Sequence, residues 1–261
     1  MEVVIVADPA AGGALVGQAI ARLIDQRPDA VLGLATGSSP EPIYDDLASR
    51  HDAGTLSLAR ASAFLLDEYV GLPADHPQAY RTVIEREMST RLDLSPGAVQ
   101  GPDGGADDLA AACAGYDADI VASGGIDLQL LGVGSDGHIG FNEPGSSLAS
   151  RTRIKTLTSR TRADNARFFG GDVDAVPRHV ITQGVGTIMA ARHLVLVAWG
   201  AEKADAVASC VEGPVTAMVP ASVLQMHPHA TIVMDTPAAA RLRLADYFRE
   251  TWAAKPAWQG L

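Results

Sequence analysis

The chain has 261 residues, 47% of them hydrophobic, and a formal net charge of -11. That length and apolar content can bury a sizeable core, as one large α/β domain or two small ones. The acidic balance argues against general binding to nucleic acid or an anionic membrane, though a few local cations can still hold a small anion.

In chain order, residues 3–6 are a β-branched run that predicts a buried strand, and 10–26 carry Leu15, Ala19 and Leu23 at helical spacing. Residues 31–35 predict a second strand, Thr36-Gly37-Ser38-Ser39-Pro40 a turn, and 41–50 a helix. A third strand, 63–66, ends in Asp67-Glu68; 71–77 are turn-rich, and a helix is expected to run to about residue 92. Residues 95–105 read as loop, 107–123 as helix and 126–131 as strand, succeeded by residues 132–144, GVGSDGHIGFNEP. Residues 151–158 are extended and basic, and 162–169 short and helical. A strand at 194–199, a helix at 201–211, a last strand at 230–235 and a closing helix at 237–252, with proline at its start, complete the chain.

Strands alternating with helices predict an α/β fold: an open, doubly wound, mostly parallel sheet with helices on both faces, Rossmann-like. No repeat or low-complexity linker appears, so residues 1–261 read as one domain. No apolar run approaches the ~20 residues of a membrane span, and the N-terminus lacks a basic leader region, so a soluble cytoplasmic protein is expected. Cys113 and Cys210 are too few for a disulfide framework or a multi-cysteine zinc site.

In open α/β sheets ligands bind beyond the carboxyl ends of the strands. Four such ends carry polar groups here. Thr36, Gly37, Ser38 and Ser39 can cradle a phosphate with hydroxyls and free helix N–H groups, or simply cap a helix. Asp67 and Glu68 offer a metal ligand or a general base, or a solvated turn; a base set against apolar surface has its pKa raised toward the working range. Gly132 to Gly137 matches the letters of a dinucleotide fingerprint, but residues 138–144 are poor helix and no acid stands about 20 residues on, so the nucleotide is excluded. His138, with Asp136 two residues before and Glu143 five after, can act as a tuned proton shuttle, or as a loop histidine satisfied by its neighbours. No further His or Cys stands at metal-ligand spacing. Arg151, Arg153 and Lys155 alternate, which suits either an anion site or a charged edge strand. Lys203 stands near a helix start, where a bound phosphate would relieve its conflict with the dipole. Arg167 is ambiguous alone.

Three stretches resemble the glucosamine-6-phosphate deaminase family: residues 66–73, LDEYVGLP; residues 132–144; and residues 146–158, SSLASRTRIKTLT. Weaker matches extend to the closing helix. The resemblance implies conversion of D-glucosamine 6-phosphate and water to D-fructose 6-phosphate and ammonia, in amino-sugar catabolism, with no metal or organic cofactor. It implies that Asp67 is the base moving the C2 proton, that Asp136, His138 and Glu143 open the sugar ring, and that Thr36 to Ser39, Arg167 and Lys203 hold the phosphate. It further implies a lid over residues 153–182. It implies a homohexamer with an N-acetylglucosamine 6-phosphate activator site at Ser146, Arg153, Lys155, Thr156 and Tyr247. Gly140 stands where alanine is commoner, implying a slightly loosened loop.

Two other functions compete. A 6-phosphogluconolactonase-like hydrolase shares the TGS-type loop and the GxGxDGH segment, but tends to carry Arg where Tyr69 stands and lacks Phe141-Asn142-Glu143-Pro144. A non-catalytic sugar-phosphate sensor would normally bring a basic DNA-binding segment, which is absent here.

Overall fold

The computed structural model describes residues 1–73, 75–259 and 261. The chain opens with β1 (Glu2–Val6) and α1 (Pro9–Gln26), whose start is set by Pro9 and by the Asp8 carboxylate accepting from the Ala11 amide at 2.8 Å. β2 (Val31–Leu34) leads through the 35–40 turn into α2 (Glu41–Asp52). Helices α1 and α2 pack closely because α1 turns glycines toward its partner; a Cβ at Gly17 would collide with the Asp46 carboxylate. There follow β3 (Ser62–Leu65), β4 (Asp67–Tyr69), α3 (Tyr80–Glu87), β5 (Val99–Gln100), α4 (Leu109–Ala122) and β6 (Leu128–Gly132). After the long loop come β7 (Arg153–Thr156), α5 (Ser159–Asn165), β8 (His179–Thr182), α6 (Val185–Ile188) and β9 (His193–Ala198). The chain ends with α7 (Ala204–Glu212), β10 (Ala230–Asp235) and α8 (Ala245–Ala253).

Seven strands form one sheet in the order β1-β10-β9-β6-β2-β3-β5, and every pairing in it is parallel. Both faces are covered, as the near-continuous apolar strands require. Leu32, Leu34, Leu128, Leu130, Val195 and Val197 point to the layer of Val16, Ile20, Tyr44, Leu47 and Ile84. Val31, Phe64, Leu131, Leu194, Leu196 and Ile232 point to the layer of Tyr116, Ile120, Val207 and Cys210. The successive residues of each strand thus alternate between two cores. β2 continues to β3 and β5 on one side, while β6 continues to β9 and β10 on the other, so the strand order reverses between β2 and β6. The loops leaving those two strands run to opposite sides there, the place where open α/β sheets form a ligand crevice.

A second sheet, β4-β8-β7, is antiparallel and stands on the carboxyl edge of the first. It alters the expectation for Asp67 and Glu68. They do not trail off the end of the third strand; they begin β4, paired to Thr182 and Ile181 of β8. A four-residue strand such as β8, set between loops, offers too short a period to read from sequence. The same holds for α6 and for the two-residue β5 inside the expected 95–105 loop. The closing helix also starts later than expected. Asp235 caps the turn after β10, accepting from the Ala238 amide at 2.9 Å, and Pro237 opens a series of turns before α8. Arg151 precedes β7 and pairs with Asp117 at 3.1 Å, so it does not share the strand face of Arg153 and Lys155. The 153–182 segment begins and ends in β7 and β8, with α5 and the 3-10 turn Ala166–Phe169 between them. Among the described residues no helix is long and apolar enough to cross a membrane.

Candidate active site

The crevice is floored by the loops after β2 and β6. Gly37 takes φ of +89°, a left-handed value open to glycine, and so turns the backbone of Thr36 to Ser39 across the start of α2. Pro40, at the head of α2, makes no side-chain cap; Pro42 carries no N–H and the Ile43 and Tyr44 amides donate to the Pro40 carbonyl at 2.9 and 3.1 Å, which leaves the Glu41 amide to solvent or a ligand. Trp199, one residue past β9, braces this turn by donating its indole N–H to the Ser39 carbonyl at 2.7 Å. Sequence reasoning missed Trp199; its place at a strand end beside the predicted sites was the available signal.

The loop after β6 is shaped around His138. Its Nδ1 lies 2.6 Å from Asp136 Oδ1, which also accepts from the His138 amide at 3.2 Å. The imidazole lies against Gly134, where a Cβ would collide with the ring. A glycine that looked like nucleotide fingerprint therefore serves as a seat for the histidine. The hydrogen bond from His138, then the opposing effect of burial and the attraction of the imidazole, brings Asp136 down to about 2. A carboxylate so held fixes one face of the ring and favours its proton on Nδ1, leaving Nε2 for chemistry.

Asp67 is buried, and burial, then the charge of Glu68, raises its carboxyl well above the usual range. Its neighbour Glu68 has a different task. Glu68 Oε1 accepts from the Tyr69 and Tyr80 amides at 2.8 and 2.9 Å, and Oε2 from the Arg81 amide at 3.0 Å. It therefore tethers the start of α3, while Asp67 is left to face the His138 loop. A Cβ on Gly140 would come within 2.9 Å of Thr182 Oγ1 and 3.5 Å of Asp67 Oδ2. Gly140 is thus at a tight crossing with φ of +55°, not in a loosened loop. Asn142, fully buried, pins the same loop: Nδ2 donates to the Ile139 and Gln183 carbonyls at 2.9 and 2.8 Å, and Oδ1 accepts from Arg153 at 2.8 Å.

Glu143 is in this loop, but its carboxylate turns to α5, accepting from Thr161 Oγ1 at 2.5 Å. Lys203 sits at the head of α7, its ammonium pulled below the ordinary value by burial; Glu202 and Asp136 oppose that shift and Arg167 reinforces it. Lys203 is therefore within electrostatic reach of both Arg167 and Asp136. Arg167 is exposed, its guanidinium 4.6 Å over the Phe168 ring. Ser146, Arg153, Lys155 and Thr156 lie in the approach to β7 and along it, whereas Tyr247 is on α8, which packs against β1. Among the described residues no group of three or more His, Cys, Asp or Glu is placed to hold a metal ion.

A doubly wound sheet with a histidine–aspartate pair, a separate buried carboxylate and a glycine-turned, hydroxyl-bearing loop at its switch point is the frame of an α/β enzyme that takes a small molecule at the carboxyl edge of its sheet. The chain belongs to the glucosamine-6-phosphate isomerase/6-phosphogluconolactonase family, whose model matches residues 9–233. It is 66% identical to a glucosamine-6-phosphate deaminase of Beutenbergia cavernae over 261 residues, covering all of both chains. It is 65% identical to one of Mycolicibacterium smegmatis, again over the whole of both. Among solved structures it resembles a monomeric glucosamine-6-phosphate deaminase with a TM-score of 0.89 at 38% identity, over 92% of this chain and 100% of that one.

Proposed function

We propose that the protein converts D-glucosamine 6-phosphate and water to D-fructose 6-phosphate and ammonia. The observation that supports this reading is that a histidine–aspartate pair and a separate buried carboxylate are brought to the same loop. His138 is paired to Asp136, and the loop it heads crosses the buried Asp67 at Gly140. A lactone hydrolase has no use for a second carboxylate over C2; an aldose–ketose isomerisation needs one.

The phosphate is anchored by Thr36, Gly37, Ser38, Ser39, Arg167 and Lys203. Binding energy from that non-reacting end positions the reacting carbons. A bound phosphate also adds counter-charge at the half-buried Lys203 beyond that of Glu202 and Asp136. His138, held by Asp136, moves the proton between the ring oxygen and the anomeric hydroxyl as the ring opens, with Glu143 completing the set. Asp67 removes the proton from C2 and returns it to C1. The amine becomes an imine at C2; water adds to that carbon and ammonia leaves, giving the ketone. Raising the Asp67 carboxyl by burial increases its strength as a base once ionised.

The 153–182 segment, carrying Arg167 and Thr161, is read as the cover of this crevice within one domain of residues 1–261. A second anion site for N-acetylglucosamine 6-phosphate is supported by Arg153, half-buried, and by Ser146, whose buried hydroxyl has no partner among the described residues. With Lys155 and Thr156 it draws on Tyr247 from α8, beside the edge strand β1, so completing it takes a second copy of the chain, in a cytoplasmic homohexamer.

Purified protein given glucosamine 6-phosphate, and separately 6-phosphogluconolactone, tests the reading. Ammonia and fructose 6-phosphate in equal amounts are expected from the first and no accelerated hydrolysis of the second; the reverse pattern overturns it. Molecular mass in solution, and rate curves with and without the acetylated sugar phosphate, test the assembly and activation.

A further inference from the structure

The hydroxyl pair at the start of α5 reaches Glu143 through a chain of hydrogen bonds whose directions are determined. Thr158 caps α5, its Oγ1 accepting from the Thr161 amide at 3.1 Å. The two hydroxyl oxygens are 2.9 Å apart, and Thr161 Oγ1 lies 2.5 Å from Glu143 Oε1. Thr161 Oγ1 donates to Glu143 Oε1, so its single hydroxyl proton is used there. Thr158 must then donate to Thr161. The sequence of donors is fixed: Thr161 amide to Thr158 hydroxyl, Thr158 to Thr161 hydroxyl, Thr161 to carboxylate. Each hydroxyl that accepts one bond donates a stronger one, and the last, to a charged acceptor, is the strongest. Glu143 Oε2 has no protein partner among the described residues.

We propose that Thr161 is a positioning residue for Glu143: its hydroxyl holds Oε1 so that Oε2 is presented to the reacting sugar when α5 is seated on the crevice. Seating of α5 is itself reported to the site, because the same helix ends in Asn165, which donates to the Tyr69 hydroxyl at 3.0 Å, two residues from Asp67. The carboxylate that the crevice needs is therefore in its working orientation only while the cap of α5 is intact. Thr161 touches no reacting atom; it acts through Glu143. The proposal rests on the deaminase reading and on the ring-opening role given to Glu143.

The test compares wild type, Thr161→Val and Thr161→Ser in steady-state release of ammonia from glucosamine 6-phosphate. Valine keeps the shape and the helix but removes the donor. The expectation is a fall of about ten-fold in kcat with KM within about two-fold, since the phosphate contacts are untouched. Serine restores at least about half of the wild-type kcat, because the donor returns. In a Glu143→Gln background the valine change should have little further effect, as expected for two groups acting as one. Unchanged kcat in Thr161→Val overturns the proposal. So does a raised KM with kcat retained, which would make Thr161 a support for Arg167 on the same segment. Failure of wild type to release ammonia would instead overturn the function on which the proposal stands.

Discussion

At the scale of single residues, the decisive contrast is between two adjacent carboxylates. Glu68 is saturated with backbone donors, whereas Asp67 is buried without them and its ionisation is disfavoured by burial first and by Glu68 second. The folded chain therefore holds the Asp67 proton to higher pH than the unfolded chain, so stability falls as pH rises from the usual carboxylate range through the folded value. Asp67→Asn removes that loss, and its melting temperature at pH 8 is expected to equal or exceed wild type; a clearly lower one would contradict the strain assigned to Asp67. Gly134→Ala tests the seat of His138. A methyl there overlaps the ring and must displace it, and kcat should drop by about a hundred-fold while denaturant stability changes little, since the imidazole is partly exposed. The His138–Asp136 pair was legible in the sequence because loop neighbours two apart can meet. Thr161 was not, since its bond to Glu143 spans 18 residues and nothing local marks it.

At the scale of elements, the main sheet was legible and the second sheet was not. The strands of the first are apolar runs bounded by turns, and their alternation with helices dictates parallel pairing. β4, β7 and β8 are three or four residues long and partly polar, and they exist because they pair with each other across long separations. β4 nevertheless sets the site: its first residue is Asp67 and its second binds the start of α3. Glu68→Gln leaves an amide facing the Arg81 N–H, two donors opposed in a buried place, and should cost about 2 kcal/mol in urea unfolding. It also removes the negative charge beside Asp67, which then ionises more easily. The acid limb of kcat/KM should move to lower pH, and a shift the other way would show that Glu68 does not act on Asp67. Ahead of α8, Asp235 caps only a short turn, and Glu212, distant in sequence, accepts from the Arg243 and Leu244 amides where α8 begins.

At the scale of the whole molecule, the candidate site and a centre of acid sensitivity lie at opposite ends of the same strands. β9 begins with buried His193, its ring stacked 3.6 Å from that of His229 and its Nε2 3.0 Å from Thr231 Oγ1. Burial, then the neighbouring His229, pushes His193 down to about 3. Between about 6.5 and about 3 the unfolded chain binds a proton that the folded chain refuses. The stability this site supplies is complete above about 6.5 and is lost as pH falls toward about 3. His193→Gln, which can still bond Thr231, should shift the midpoint of acid unfolding to lower pH; an unchanged midpoint would assign acid sensitivity elsewhere. The carboxyl end of the sheet was readable as the candidate functional edge because four predicted strand ends carried polar groups. Which of those groups touch was set by the reversal of strand order between β2 and β6, and by a second sheet that no local pattern announces. The proposed enzyme combines ring opening at His138 with proton transfer at Asp67 in one crevice. Ammonia release from glucosamine 6-phosphate by wild type and Asp67→Asn, measured alongside substrate binding, tests that combination. Wild type should give ammonia equal to fructose 6-phosphate, and the variant a loss of at least about a thousand-fold with binding largely kept. Near-wild-type deamination by Asp67→Asn would contradict it.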